Sequence, residues 1–182
     1  MAPFFTGRGD SGNTGFLGEG RVSKSSVRIE AVGSVDEANA ALGLARALTD
    51  NEKVQEIILQ AQKQLYYLMS ELSADEDTAD HFDRIQQREV DWLEGQIAAL
   101  QKDFDMPREF IVPGDSQASA ALALARTIVR RAERRVIALF ESSGFKKEVL
   151  IAYLNRLSSL IFVLEVYETS HSGHSLRLAK EA

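Results

Sequence analysis

The chain has no cysteine, which excludes disulfide frameworks, thiolate-bound zinc, iron–sulfur clusters and thiol nucleophiles. Proline is scarce, three residues in 182, so long stretches contain nothing that would interrupt a helix. No apolar run approaches the ~18–20 residues needed to span a bilayer, and Met1 to Gly7 lacks a basic segment followed by an apolar one. The expectation is a cytoplasmic protein with no membrane span. Positive charge is in deficit, 21 Lys+Arg against 27 Asp+Glu, for a net charge of −6. That argues against broad binding to nucleic acid or anionic membrane, although a local basic stripe can still hold a polyanion.

What is present fits one domain over residues 1–182, large enough to bury ~70% of its unfolded surface without a structural metal. Val35, Ala38, Ala41, Leu42, Ala45 and Leu48 recur at helical spacing, with Ser34 as N-cap and Glu37 three residues on. Further amphipathic stretches run from about Glu52 to Ser73, Ile85 to Lys102, Ser116 to Phe140 and Lys147 to Thr169. Residues 74–83 read as an acidic loop, and Gly144 punctuates the fourth stretch. Five helices with short links and no convincing strand pair predict an all-α, up-and-down five-helix bundle over residues 34–171. Residues 1–33 read as a glycine-rich loop segment and 172–182 as a tail; six of the twelve glycines fall between Gly7 and Gly20.

Several constellations could carry chemistry. Thr6-Gly7-Arg8-Gly9-Asp10-Ser11-Gly12-Asn13-Thr14-Gly15 is either a flexible tail or a loop whose backbone N–H groups and hydroxyls cradle a phosphate, with Lys24 as a point charge. It formally satisfies G-x-G-x-x-G, but no strand–turn–helix context surrounds it, and it lacks a Walker ending. Arg126, Arg130 and Arg134 follow one another at i, i+4, i+8, with Arg131, Glu133 and Arg135 beside them. The stripe is either a solvated basic face or an anion site, since half-buried guanidiniums need partners. Asp36 is either a first-turn residue favoured by the helix dipole or a carboxylate partner for one of these arginines. Asn155 interrupts a strongly apolar helix as an exposed residue or as a ligand contact. Glu168 and His171 have the E-x-x-H spacing of di-iron bundles, but no second copy exists. His81, His171 and His174 stand in polar surroundings at loop or chain ends, and no Ser/His/Asp or paired-carboxylate context is evident.

In order along the chain, Thr6 to Gly12 with Thr14-Gly15, Arg21 to Lys24 followed by Glu30 to Glu37, Phe110 to Gly114 followed by Ala125-Arg126 and Arg130 to Arg135, and Leu154-Asn155-Arg156-Leu157-Ser158 form four blocks. Together they resemble the ATP:cob(I)alamin adenosyltransferases of the propanediol-utilisation type. The resemblance implies a ferritin-like five-helix bundle, a homotrimer with ATP and corrinoid bound between subunits, and transfer of the 5′-deoxyadenosyl group of ATP to reduced cobalt. It implies that Thr6, Gly7, Arg8, Gly9, Asp10, Thr14, Gly15 and Lys24 hold ATP together with Arg130, Arg131, Glu133, Arg134 and Asn155. By the same resemblance Glu133 helps order Mg²⁺. It further implies that Arg126, Arg130, Glu133 and Asn155 carry the catalytic role, that Asp36 pairs with Arg126 between subunits, and that Phe110 closes the lower face of the corrin. A cob(II)alamin reductase and an adenosylcobalamin-dependent enzyme are the implied partners.

Two departures stand out: the family loop commonly reads T-R-T-G-D, where this chain has Gly7 and Arg8 at the second and third places, and Ser159 replaces an acid after L-N-R-L-S. The altered loop motivates an alternative, a trimeric ATP- or corrinoid-binding sensor or delivery protein without transferase activity. Glu168 and His171 motivate a third reading, a metal-binding ferritin-like bundle.

Overall fold

The computed structural model describes residues 5–75 and 77–180. Among these, five long helices and one single turn account for the regular structure beside a short ribbon: β1 (Asn13–Thr14), β2 (Val22–Ser23), α1 (Val27–Leu48), α2 (Glu52–Ser73), α3 (Ala79–Phe82), α4 (Gln87–Leu100), α5 (Gln117–Ser143) and α6 (Glu148–His171). The all-α bundle expected from the periodicity is present, with α5 packed on both α1 and α6, α2 on the far side of α1, and α4 against α6.

Capping chemistry sets several ends. Ser26 accepts a hydrogen bond from the N–H of Ile29, Asn51 from that of Val54, and Ser116 from that of Ser119. Gly144 ends α5 with φ of 73°, a left-handed position that disfavours any side chain.

The first helix starts earlier than its apolar spacing suggests. Ser34, read as the N-cap, is buried in mid-helix, and Gly33 is helical, so residues 27–33 belong to the bundle rather than to the loop. A helical glycine disfavours the helix by about 1 kcal/mol relative to Ala, and here tertiary packing of Ala31 and Val35 outweighs it. A strand pair also exists where none was expected: β1 and β2 pair antiparallel, Thr14 opposite Val22.

The α1–α5 contact is the most extensive between any two helices. On α1, Ala31, Ala38 and Ala45 are fully buried at seven-residue intervals; on α5, Ala118, Ala125 and Ala132 repeat the spacing. Small residues at that period allow two backbones to lie close together. The helices are antiparallel, because Arg131 pairs with Glu37 while Arg135, further along, pairs with the earlier Glu30.

Helix α6 departs from the expectation that no segment could span a membrane, since it is 24 residues long and an 18-residue stretch of it has a mean hydropathy of 1.7. In the bundle that apolarity forms the core: Leu150, Tyr153, Leu154, Leu157, Leu160, Ile161 and Leu164 are buried among the other helices.

At one end of the bundle a buried carboxylate joins three segments. Glu71 accepts hydrogen bonds from the N–H groups of Arg84 (2.8 Å) and Ile85 (2.5 Å) and an ion pair from Lys147, which also reaches Asp83. Removing it strands two backbone donors and leaves the half-buried Lys147 ammonium with Asp83 alone. Glu71→Ala is expected to lower unfolding free energy by about 3 kcal/mol, read as a lower urea midpoint at unchanged slope.

Candidate functional site

Four groups of predicted residues occupy distinct places on this frame. On α5, Arg130 and Arg134 are exposed on the stripe beyond the buried Val129, Ala132 and Val136, and Arg134 donates to the carbonyl of Arg130 at 3.0 Å. Glu133, half-buried, turns toward α6, where Asn155 Nδ2 donates to its Oε1 at 3.1 Å. The other end of Asn155 is fixed too: its Oδ1 accepts from Arg156 Nη1 at 2.8 Å, and Arg156 pairs with Glu94 of α4 at 2.7 Å. Asn155 is therefore an oriented amide at the α5–α6 seam, and the exposed-residue alternative gives way to this network. Arg130 has no carboxylate partner among the described residues.

Arg131 differs from its neighbours. Grouped with the nucleotide ligands by resemblance, it pairs within the chain with Glu37, as Arg135 does with Glu30 at 3.2 Å. These two arginines line the α1–α5 seam, while Arg130 and Arg134 stay available for an anion.

The N-terminal segment is a compact ordered loop. Gly7 (φ 67°) and Gly12 (φ 79°) take left-handed conformations, and tight turns link Asp10 N–H to the Gly7 carbonyl and Gly12 N–H to that of Gly9. Arg21 donates to the carbonyls of Arg8 (2.8 Å) and Asn13 (2.6 Å), and Lys24 N–H to that of Gly12 (2.9 Å). The Lys24 ammonium lies against Gly9, where a Cβ would come within 3.1 Å of Nζ. Thr6 Oγ1 accepts from Arg8 N–H. The flexible-tail alternative thus fails for residues 6–24. Thr14 and Gly15 line a groove of about 530 Å³ together with Ile29, Gly33, Asp36 and Tyr66 of α1 and α2.

Asp36 lies in the third turn of α1, not the first, because Ser26 rather than Ser34 caps the helix. Neither of its sequence-derived roles operates inside one chain: the dipole argument is lost, and no ion pair joins Asp36 to Arg126 among the described residues. Arg126 lines a different cleft.

That second cleft, about 360 Å³, brings Phe110 together with Arg126, Phe162 and Glu165. Phe110 is 87% exposed, an unusual position for a phenylalanine that has nothing to contact. The tail is tied to the segment before α5, because Val112 N–H donates to the Arg177 carbonyl (2.8 Å) and Ala179 N–H to that of Phe110 (2.7 Å), an antiparallel pairing that flanks the aromatic. Arg126 stacks on Phe162, 5.8 Å from the ring centre, and its Nε is buried without a partner. Glu165, missed by sequence reasoning because it sits in an apolar run, is 2% exposed with Oε2 unpartnered.

Glu168 and His171 line one cavity but are each engaged elsewhere, Glu168 accepting from Thr49 at 2.8 Å and His171 stacking on Tyr167 with Nδ1 on the Tyr167 carbonyl, and no cluster of three or more potential metal ligands occurs among the described residues.

By geometry the chain is a helical bundle that presents an exposed pair of arginines, a glycine-turned loop and an aromatic cleft. Residues 4–168 match the cobalamin adenosyltransferase family, and the chain is a member of it. It is 34% identical over 178 residues to the corrinoid adenosyltransferase PduO of Salmonella typhimurium, covering 97% of this chain and 52% of that one. Against the corrinoid adenosyltransferase of Bacillus subtilis it is 36% identical over 173 residues, covering 93% and 88%. The chain thus spans about half the length of the Salmonella relative and most of the Bacillus one. Its fold matches a Phe-to-Ala variant of the PduO-type ATP:corrinoid adenosyltransferase from Lactobacillus reuteri complexed with cobalamin and ATP, with a TM-score of 0.90 and 28% identity, covering 98% of this chain and all of that one.

Burial is the main influence on Glu165 and pushes its carboxyl from 4.5 up to about 7; Arg126 pulls it partly back, and Asp115 opposes Arg126. The folded carboxyl therefore binds its proton more tightly than the unfolded one. It costs no stability below about pH 4.5, and a growing amount as pH rises to about 7. Glu165→Gln is expected to exceed the parent in stability by on the order of 2–3 kcal/mol at pH 8 and to match it near pH 4.5. Urea unfolding at both pH values checks this; a difference that does not change with pH contradicts it.

Proposed function

We propose that this protein transfers the 5′-deoxyadenosyl group of ATP to the cobalt of a reduced corrinoid and releases triphosphate. The lone pair of Co(I) attacks C5′; a Co–C bond forms as the C5′–O bond breaks, and that electron pair leaves with the triphosphate. The nucleophile needs no deprotonation, so the protein's work is orientation and neutralisation of the leaving group. The observation that carries the reading is the α5–α6 seam, where exposed Arg130 and Arg134 flank a carboxylate oriented by Asn155, on a chain whose family is known.

Within the site, Arg130 and Arg134 receive the phosphates, with Lys24 and the backbone N–H groups of the loop on their other side. Glu133 fits Mg²⁺, because a single half-buried carboxylate with phosphate oxygens and water completes an octahedron without an all-protein cage. Mg²⁺ bound there would offset charge on the triphosphate. Phe110, with Phe162, supplies the aromatic wall against which the corrin packs.

The active unit in this reading is a homotrimer, with each site built from two copies. Support comes from the separation of its halves: among the described residues, no hydrogen bond or ion pair links residues 6–24 to Arg130, Glu133, Arg134 or Asn155. Asp36 and Arg126, which line different clefts, pair across the subunit boundary in the same arrangement. A reductase must supply Co(I), and an adenosylcobalamin-dependent enzyme takes the product.

The test is anaerobic: protein, ATP, Mg²⁺ and chemically reduced cobalamin, following loss of Co(I) absorbance and appearance of a light-sensitive product. Arg130→Ala is expected to lower kcat at least ~100-fold with helical content unchanged. Tight ATP binding without any adenosyl product from wild type would instead establish the sensor or delivery reading.

A further inference from the structure

The loop of residues 5–24 has little buried surface of its own, so its position must come from hydrogen bonds. Apart from the turn leading into α1, its hydrogen bonds to the bundle, among the described residues, all reach residues 73–78 at the end of α2. Leu17 N–H donates to the Ser73 carbonyl (2.8 Å), and the Leu17 carbonyl accepts from Asp75 N–H (3.1 Å) and Thr78 Oγ1 (2.7 Å). Asp75 closes the clamp: its Oδ2 accepts from Glu19 N–H (3.2 Å), while its Oδ1 accepts from Thr78 N–H (2.9 Å) and shares the single Thr78 hydroxyl proton with the Leu17 carbonyl, 2.7 Å from Oγ1. Gly18 is the residue that permits this approach, since a Cβ there would lie 1.8 Å from Asp75 Oδ2. Arg28, one residue into α1, ties the same corner by donating to the carbonyls of Leu72 (2.9 Å) and Ala74 (2.5 Å).

We propose that Asp75 is a positioning residue for the nucleotide, acting through the backbone of Leu17 to Glu19 and so fixing where Thr14 and Gly15, two to three residues upstream, meet ATP. The inference rests on the reading that the N-terminal loop holds ATP. Asp75 does not touch the substrate; it sets the height of the loop over the α1–α2 groove. The hydrogen bonds from Thr78 hold its carboxyl below the usual range, so it is an acceptor throughout neutral pH.

Two substitutions separate this role from a merely local one. Asparagine keeps an oxygen for Thr78 but turns an N–H₂ toward the N–H of Glu19, so the 75–78 turn survives and the tie to the loop is lost. Asp75→Asn and Asp75→Ala are both expected to weaken ATP binding, by calorimetry without corrinoid, and to raise KM for ATP by about 10-fold. The KM for corrinoid and kcat at saturating ATP should stay within about 2-fold of wild type. Thr78→Val, which removes the hydroxyl bond to Leu17, should shift ATP affinity in the same direction and supplies a second variant should Asp75→Ala misfold. If Asp75→Asn binds ATP as wild type does while Asp75→Ala is only less stable, Asp75 serves the turn alone and the proposal is wrong. Failure of wild type itself to bind ATP would overturn the functional reading and this inference with it.

Discussion

The alanine seam between α1 and α5 is the constraint on which the rest depends. Ala31, Ala38 and Ala45 on one helix and Ala118, Ala125 and Ala132 on the other are all buried, and larger side chains there would force the helices apart. A seven-residue period keeps a single stripe facing the partner along the length of both helices. Close approach then dictates the charges at its margins. Short-range pairing of Arg131 with Glu37 and Arg135 with Glu30 becomes possible, and two of the arginines of α5 are satisfied within the chain.

That division of labour on one helix explains a cluster that would otherwise repel itself. A helix turns 100° per residue, so Arg131 and Arg135 point to one side of the buried row and Arg130 and Arg134 to the other. The first pair stabilises the seam modestly, since exposed pairs contribute only ~0–1 kcal/mol. The second pair has no carboxylate partner among the described residues, and the proposed function gives its charge to the triphosphate. Glu133 sits on the α6 side of the same stretch, and a chain of contacts through Asn155, Arg156 and Glu94 carries its orientation across α5, α6 and α4. Three helices thus determine the direction of one carboxylate, which is what a preorganised electrostatic site requires.

The helical architecture was legible because apolar positions repeat at helical spacing over long stretches with almost no proline. What was not legible came from features with no periodic signal. Gly33 and Ser34 look like punctuation, yet both lie within α1 because Ala31 and Val35 continue its buried stripe. The pairing of Ile111 with Leu178 joins segments far apart in the chain, and nothing local announces it. Glu165 hides inside an apolar run, and only burial beside Arg126 and Phe162 marks it as unusual. Among the candidate site residues, the types and order were readable and the partners were not. Arg131 and Arg130 are adjacent and chemically identical, and only the packing angle of α5 against α1 assigns one to the seam and leaves the other free.

The placement of the two halves of the site follows from the same geometry. Helix α5 is covered by α1 on one flank and α6 on the other, and the loop docked at the end of α2 borders a groove between α1 and α2 that Arg130 and Asn155 do not line. A reaction whose nucleophile arrives already activated demands little of any single side chain and much of the distance and angle between two substrates. In the proposed function, placing the loop of residues 6–24 and the pair Arg130 and Arg134 on different seams makes that geometry a property of how copies of the chain meet. The same proposal accounts for the exposed Phe110 and the unpartnered Arg126 Nε. Groups that are costly to leave unsatisfied in one chain are tolerable where substrate and a second copy cover them.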